Sequence, residues 1–312
     1  MPNFQAQLKI GFLAGLKKGG SSFVWMCKII IPVSFLVTLL QWTGWLNQLD
    51  FLLNPFTSLI NLPSEAALPI ITGMLINIYA VIAVITVLPF TIAQMTLIAI
   101  FNLIAHSLIM EGIIQHKSGI NVIKATLVRV TAAFLTVLIV SQFLGDTSQS
   151  VIVSADLAVQ PPLLEILKGW VVNMIGLLMK ILVIIMSIMI MLESLRALGW
   201  IEYSFKYFWP LLRILGLSGR TSMMLVAAIL FGLFYGGAVI IEEAKNRTLT
   251  KEELEHLHIS IGINHAMVED PALFAVLGLN VFWLLVPRFI TAIIAVHTYR
   301  AIKYLKRKLL RY

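Results

Sequence analysis

Long apolar segments are the feature that most limits how this chain can fold. They lie near residues 23–45, 66–88, 89–110, 122–144, 163–192, 221–241, 257–277 and 280–302. Each is close to, or longer than, the roughly 20 residues that an α-helix needs to span a bilayer. Only 12% of the 312 residues are charged, about half the share found in soluble domains. The sequence therefore predicts an all-α polytopic membrane protein in contact with the lipid bilayer.

Charge and missing motifs exclude several other classes of protein. A net charge of +8 would favour nucleic-acid binding in a soluble protein, but here the basic residues flank apolar spans and predict cytoplasmic loops. Cys27 is the only cysteine, which excludes an internal disulfide and a Cys-x-x-Cys metal site. The sequence has no Walker, Rossmann, Ser-His-Asp or His-Glu-x-x-His pattern. We expect no enzymatic activity, no organic cofactor and no nucleic-acid partner.

The two halves of the chain resemble each other. At an offset of 155 residues, Gly44-Trp45 aligns with Gly199-Trp200 and Pro55 with Pro210. At an offset of 159, His106 aligns with His265, Glu111 with Asp270, and Arg129 with Arg288. Residues as rare as Trp, His and Pro would hardly recur in one order through shared hydrophobicity alone. The chain therefore contains two homologous halves.

The distribution of basic residues predicts opposite orientations for the two halves. The N-terminus and the tail 303–311 are basic, so both ends are expected in the cytoplasm of a bacterial cell, beneath its inner membrane. The connection 141–165 has only acidic charges and is expected outside. Each half then crosses an odd number of times. Segments 113–125 and 196–220 are expected inside, and loop 242–256 outside.

Three crossings in each half leave one apolar segment unassigned. We assign segments 89–112 and 257–277 as re-entrant hairpins, which are tolerated where protein or water satisfies the broken backbone. The predicted fold is thus two inverted-topology repeats, each with about three transmembrane helices and a re-entrant hairpin. The predicted divisions are an interfacial segment 1–22, a first repeat 23–150, an external linker 151–165 and a second repeat with a basic tail 166–312.

Polar residues inside the matched apolar segments are the main functional candidates, because ionisable groups in a membrane are costly and usually functional. His106 with Glu111, and His265 with Glu269, lie about one helical turn apart. The same segments also contain Asn102, Asn264 and Asp270. Together these groups could coordinate a divalent cation through His106, His265 and Glu269, relay protons or bind a polar substrate. The alternative is that each histidine only stabilises its own segment.

Two arginines and two other charged residues are further candidates. Arg129 and Arg288 each lie about 12 Å along a predicted helix. They either pair with buried acids or an anionic substrate, or extend to the membrane interface. Glu65 and Arg220 are candidates for gating or anchoring. Candidate hinges, or sites of close helix packing, are Gly232, Gly236 and Gly237.

Three motifs resemble the Gate-domain, or nucleoside recognition, family of membrane proteins. They are Leu62-Pro-Ser-Glu65-Ala-Ala-Leu-Pro69, Tyr235-Gly-Gly-Ala-Val-Ile-Ile-Glu242-Glu243-Ala and His265-Ala-Met-Val-Glu269-Asp270. This family shares its domain with concentrative nucleoside transporters, spore-maturation membrane proteins and the membrane part of the bacterial ferrous-iron transporter. The Gly-Cys-x-x-Pro gate and the GTPase domain of the ferrous-iron members are absent from this sequence.

The inverted repeat and the matched His/acid pairs favour a secondary transporter or permease for a small polar solute, either nucleoside-like or a divalent cation. Its site would lie near the membrane midplane between the matched segments, and transport would be coupled to H⁺ or Na⁺. The alternative is a non-transporting membrane assembly factor, like the spore-maturation proteins. Assembly into a homo-oligomer stays open.

Overall fold

The protein is helical throughout the part of the chain that the structure describes. The computed structural model describes residues 4–45, 55, 57–148, 161–201, 210–221, 224–230, 232, 240–241 and 249–309, and no strand occurs among them. The helices are α1 Phe4–Trp42, α2 Ala67–Leu75, α3 Ile78–Ile85, α4 Ile92–Ala105, α5 Leu108–Lys117, α6 Val122–Ser141, α7 Leu163–Ala197, α8 Lys251–Asn264, α9 Glu269–Ala275 and α10 Val281–Leu309. Residues 224–230 are helical as well.

Five helical stretches are long and apolar enough to cross a membrane. They are Phe4–Trp42, Ile92–Lys117, Val122–Ser141, Leu163–Ala197 and Val281–Leu309. Large apolar side chains on their outer surfaces are exposed, including Val172 (70%) and Ile139 (60%). Such faces are typical of helices that contact lipid. The expectation of an all-α, multi-pass membrane protein is confirmed.

Helices α1 and α7 pack against each other in opposite directions. Gly11, Gly15 and Gly19 form a buried stripe on α1, and a Cβ atom at Gly15 would overlap the backbone of Ile190. Glycines at every fourth position allow two helix backbones to approach closely. Residues 4–22 are therefore the first half of a continuous packed helix, which differs from the separate interfacial segment expected for 1–22.

One end of the helical bundle, which we call the linker face, is joined by hydrogen bonds between loops and helix ends. Asn61 Nδ2 donates to Ser141 Oγ (3.3 Å) at the end of α6. Thr147 Oγ1 donates to the Asn61 carbonyl (2.6 Å). Gln94 Nε2, in the first turn of α4, donates to the Thr147 carbonyl (3.1 Å). Helix α6 therefore ends, and α4 begins, at the linker face.

The opposite end, which we call the tail face, holds the C-terminal end of α10. Lys303 Nζ donates to Glu255 Oε2 (2.7 Å), and Lys124 Nζ lies 3.7 Å from Glu255 Oε1. Arg307 Nη2 donates to Glu252 Oε2 (2.9 Å) and thereby lowers the pKa of that carboxyl. Helices α6 and α8 begin at this face, and α10 ends there.

The prediction that loop 242–256 and the basic tail lie on opposite faces is wrong. The part of that loop that the structure describes, 249–256, lies on the tail face. The acidic residues that offset the loop's basic charge pair with tail residues, as in Glu252–Arg307 and Glu255–Lys303. These ion pairs join residues 252–255, at the start of α8, to the tail.

Helices α4 and α5 together run from one face to the other. Helix α4 begins at the linker face, and α5 ends beside the start of α6, where the Ile120 amide donates to the Gln115 carbonyl (3.1 Å). The break between them lies at His106, which is extended (φ −87°, ψ 167°), and Ser107, which is left-handed (φ 49°). Segment 89–112 therefore does not turn back as the sequence analysis expected.

The second expected hairpin, 257–277, differs in the same way. Helix α8 begins at the tail face and breaks at His265, which is extended (φ −75°, ψ 168°), and at Ala266, which has φ 47°. The chain then continues through α9 to the start of α10. Because α10 is a 29-residue helix that ends at the tail face, its start lies at the opposite end of the bundle. Helices α8 and α9 therefore also pass from face to face.

Helices α2 and α3 form the hairpin of the first half. Helix α2 follows Asn61 at the linker face, and α3 leads back to α4 at the same face. The tip meets the first helix break, because Ser107 Oγ donates to the Ile76 carbonyl (3.0 Å) and the Ser107 amide donates to the Gly73 carbonyl (2.9 Å). Asn77 then caps α3 by accepting from the Ala80 amide (3.1 Å).

Candidate functional site

The two helix breaks bring two imidazole rings together, with their Nε2 atoms directed toward each other. His106 Nδ1 lies 2.7 Å from the Asn102 carbonyl, and His265 Nδ1 lies 2.7 Å from the Ile261 carbonyl. Since a carbonyl only accepts hydrogen bonds, each Nδ1 carries a proton, and Nε2 is the ring atom that is free to bind a cation or a second proton. The two Nε2 atoms lie 3.3 Å apart.

Two carboxylates approach these imidazoles. Glu111 Oε1 lies 3.3 Å from His106 Nε2 and 3.1 Å from His265 Nε2. Asp270 Oδ2 lies 3.7 Å from His106 Nε2. The four side chains, which we call the His–acid cluster, come from α5, α9 and the two breaks, and none of the four residues is more than 7% exposed. The folded chain thus brings together four of the residues predicted from the sequence.

Arg129 of α6 ties the first break to the cluster. Its Nε and Nη2 donate to the carbonyls of Ile104 (2.9 Å) and His106 (2.9 Å). The end of α4 leaves such carbonyls without helical partners. Arg129 Nη1 also lies 2.6 Å from Glu111 Oε2. The arginine therefore both caps the broken helix and forms a buried ion pair.

Arg288 of α10 caps the second break in the same way. Its Nε and Nη2 donate to the carbonyls of Ile263 (3.1 Å) and His265 (2.8 Å). In contrast to Arg129, its Nη1 has no hydrogen-bond partner among the described residues, and neither has Asp270 Oδ2. Asp270 is one methylene shorter than Glu111. The second half therefore keeps the cap but lacks the close ion pair.

Glu269 lies outside the His–acid cluster. Its Oε1 accepts a hydrogen bond from the Tyr79 hydroxyl (2.9 Å), and Tyr79 packs edge-on against Trp25. The spacing of His265 and Glu269 places them on one face only if they share a continuous helix. Because the chain breaks at Ala266, Glu269 turns away and Asp270 takes its expected place.

The two asparagines are buried but do not contact the cluster acids. Asn102 Nδ2 donates to the Ile98 carbonyl (2.9 Å), and its Oδ1 occupies the space beside Gly73 where a Cβ would lie. Asn264 is fully buried, and neither of its amide atoms has a hydrogen-bond partner among the described residues.

Of the gate and hinge candidates, Glu65 and Arg220 lie apart from the cluster, whereas Gly232 lies beside the second break. Glu65 lies in the short turn Ser64–Ala66, which follows Asn61 at the linker face. Arg220 is exposed in the turn Gly219–Thr221. Gly232 has φ 75°, and a Cβ there would lie 3.6 Å from the Ala266 Cβ at the second break. Gly236 and Gly237 lie outside the described residues.

Comparison with known proteins establishes the family. No family model and no solved structure matches this chain. The chain is 31% identical over 287 residues to the uncharacterized membrane protein YvoD of Bacillus subtilis (strain 168), which covers 91% of this chain and 92% of that protein. This chain belongs to the YvoD family of membrane proteins. The membrane assignment of YvoD agrees with the five apolar helical stretches.

Two buried polar residues of this YvoD-family protein are not among the site residues predicted from the sequence. His258 of α8 and Gln115 of α5 are each 1% exposed. Both His258 ring nitrogens and Gln115 Nε2 lack hydrogen-bond partners among the described residues. Helical spacing could have identified them. Gln115 lies four residues after Glu111, and His258 lies seven residues before His265, so each shares a helix face with a residue of the cluster.

The cluster has the donor atoms and spacing of a transition-metal site. Ligand atoms of His106, His265 and Asp270 all lie within 4.8 Å of one another. A tetrahedral Zn²⁺ ion with bonds of about 2.0–2.1 Å separates its ligand atoms by about 3.3–3.4 Å. The Nε2–Nε2 distance of 3.3 Å matches that separation. Imidazole and carboxylate ligands suit Zn²⁺ and its first-row neighbours.

Proposed function

We propose that this YvoD-family protein is a secondary transporter or permease that carries a divalent transition-metal cation through the His–acid cluster. The observation that carries this proposal is the convergence of three atoms that can each bind a metal ion. His106 Nε2, His265 Nε2 and Glu111 Oε1 lie 3.1–3.3 Å apart. Lone pairs that face one another in a buried site repel unless a cation or a proton lies between them.

The balance of charges favours a cation that is bound and released. Arg129 and Arg288 are buried beside the two acids of the cluster and offset their negative charge. Transport needs a site that attracts the ion but holds it weakly enough to let it go.

The architecture supports a transporter over an assembly factor. We propose two inverted-topology repeats, because α6 begins and α10 ends at the tail face, and the contacts of His106 and Arg129 recur 159 residues later at His265 and Arg288. In this scheme α2–α3 is the re-entrant hairpin of the first repeat, and the helical residues 224–230 begin the corresponding part of the second. Secondary transporters bind substrate at such a repeat interface.

The orientation and the wider family follow from the same scheme. The tail face holds the basic end of α10, so we assign it to the cytoplasmic side of a bacterial inner membrane. Both termini then lie in the cytoplasm. The Gate-domain resemblance is part of the proposal, and it is supported by two of its motifs, since 62–69 starts the first hairpin and 265–270 contains the second break.

A cation fits the cluster better than a nucleoside does. Pockets for drug-sized ligands have volumes of about 300 Å³ or more. The two imidazole rings of the cluster lie 4.9 Å apart between centroids, and its four members are almost fully buried. That space suits one ion.

A flux measurement with two neighbouring variants tests this function. We expect purified protein in liposomes to admit Zn²⁺, Co²⁺ or Mn²⁺, followed by a metal-sensitive dye inside, and Asp270→Asn to reduce the flux several-fold. Among the described residues, no arginine lies within ion-pair distance of Asp270, so this isosteric change leaves the Arg129–Glu111 pair intact. Glu269→Gln is the control and should transport like the wild type. Absence of flux for all three cations, or equal flux in Asp270→Asn, would contradict the proposal.

A further inference from the structure

We propose that water and cations reach the His–acid cluster from the tail face, along a path between α5, α6 and α8 that is marked by His258 and Gln115. This inference rests on the proposed function for the identity of the cargo. The path itself is argued from buried polar atoms that have no protein partner, because such atoms are rare in a dry core and are normally bonded to water.

The outer part of the path is a cavity at the tail face. It has a volume of about 160 Å³, and its lining includes Lys124, Glu255, His258 and Tyr299. This volume holds several waters. Lys124 and Glu255 are tail-face residues, so the cavity lies at that end of the bundle. His258 is one of the lining residues, and its two buried ring nitrogens have no hydrogen-bond partner among the described residues.

The inner part of the path runs along one side of α8 and α5. Gly262 lies one turn after His258 on the same face of α8. Gln115 Nε2 lies 3.5 Å from the position that a Cβ would take at Gly262, and it too lacks a partner among the described residues. Gln115 lies one turn after Glu111 on α5. Polar groups therefore continue from the cavity to the cluster.

The corresponding positions on the linker side are closed by apolar side chains. Positions 159 residues from His258, Gly262 and Gln115 are Ala99, Leu103 and Phe274. All three of these residues are fully buried. The structure therefore has a polar path on the tail side of the cluster and a tightly packed apolar barrier on the linker side.

Cysteine reactivity tests the path without any cation. In a Cys27→Ser background, His258→Cys and Gln115→Cys should react with a charged, membrane-impermeant methanethiosulfonate applied to the tail face of sealed vesicles. The control is Leu257→Cys, the adjacent and fully buried apolar position of α8. Because the thiolate is the reactive form and apolar burial disfavours it, we expect the two path cysteines to react about tenfold faster than the control.

The following results would overturn this inference or a part of it. Reaction of both path cysteines no faster than Leu257→Cys would remove the path. Reaction of Ala99→Cys from the linker face would remove its one-sidedness. Reactive path cysteines in a protein that binds no cation would keep the water path but refute its cargo, whereas unreactive ones in a cation-binding protein would refute the path alone.

Discussion

We expect His265→Asn to lower the affinity for Zn²⁺ or Co²⁺ by more than about 100-fold, because loss of a mere outer-shell partner already costs about 10–100-fold. Asparagine can keep the hydrogen bond that His265 Nδ1 makes to the Ile261 carbonyl, since its amide nitrogen takes a similar position. It removes Nε2, the atom that faces His106 and Glu111. Calorimetric titration of the purified protein measures the affinity, and melting without metal measures the stability.

His106→Asn should have a similar effect, and Glu269→Gln should have none, because Glu269 bonds to Tyr79 outside the cluster. The alternative is that the imidazoles only hold the helix breaks together. In that case His265→Asn would lower the melting temperature by several degrees, and the wild type would gain no stability from any of the cations.

The second large effect is expected at the buried arginine of the first half. Arg129→Met should lower the free energy of unfolding by about 3–5 kcal/mol, the usual range when one partner of a buried ion pair is removed. Methionine keeps most of the apolar stem but leaves Glu111 as an uncompensated charge and frees two helix-end carbonyls. Arg288→Met should lower the free energy of unfolding by less, because none of the carboxylates that the structure describes lies within ion-pair distance of Arg288.

A double-mutant cycle separates the ion pair from the cap. Adding Glu111→Gln to Arg129→Met should recover part of the lost stability, because the orphaned charge is then removed. The same Glu111→Gln change in the wild type should destabilise. Additive effects of the two changes, or equal losses for Arg129→Met and Arg288→Met, would show that Arg129 acts only as a cap. Chemical unfolding in detergent gives the four free energies.

Much of the candidate site can be predicted from the sequence because the two halves match. The shared offset of His106, Glu111 and Arg129 with His265, Asp270 and Arg288 identifies the six residues that meet at the centre. Hydropathy also identifies the apolar segments. It does not distinguish a crossing from a hairpin, because both need a similar number of apolar residues.

For this reason the sequence predicts a hairpin in segment 89–112, whereas the described structure turns back between α2 and α3, within residues 66–88. Residues 66–88 have the length of one crossing, and the signals of a turn within them are Gly73 and Asn77. Asn102 occupies the space that a side chain at position 73 would take, and Asn77 caps α3. The requirement for glycine at position 73 depends on Asn102, which is distant in sequence, so the local pattern around Gly73 does not reveal the turn.

Tertiary contacts explain why Asp270, and not Glu269, lies in the His–acid cluster. Ala266 adopts φ 47°, which an L-residue other than Gly, Asn or Asp rarely does. Its amide donates to the Ala228 carbonyl (2.9 Å), and the Met267 amide donates to the Ile229 carbonyl (2.9 Å). The neighbouring helical segment therefore holds the break. No local rule predicts a left-handed alanine, so the helical spacing from His265 pointed to the wrong acid.

X-ray absorption of the Zn²⁺-loaded protein tests the central claim most directly, because it reports the ligand atoms themselves. The account predicts one Zn²⁺ per chain in a four-coordinate shell of two imidazole nitrogens and carboxylate oxygens at about 2.0–2.2 Å. The imidazole signal should disappear in the His106→Asn/His265→Asn double variant. A shell of oxygen ligands without imidazole scattering, or the same spectrum in the double variant, would contradict a cation site at the two helix breaks.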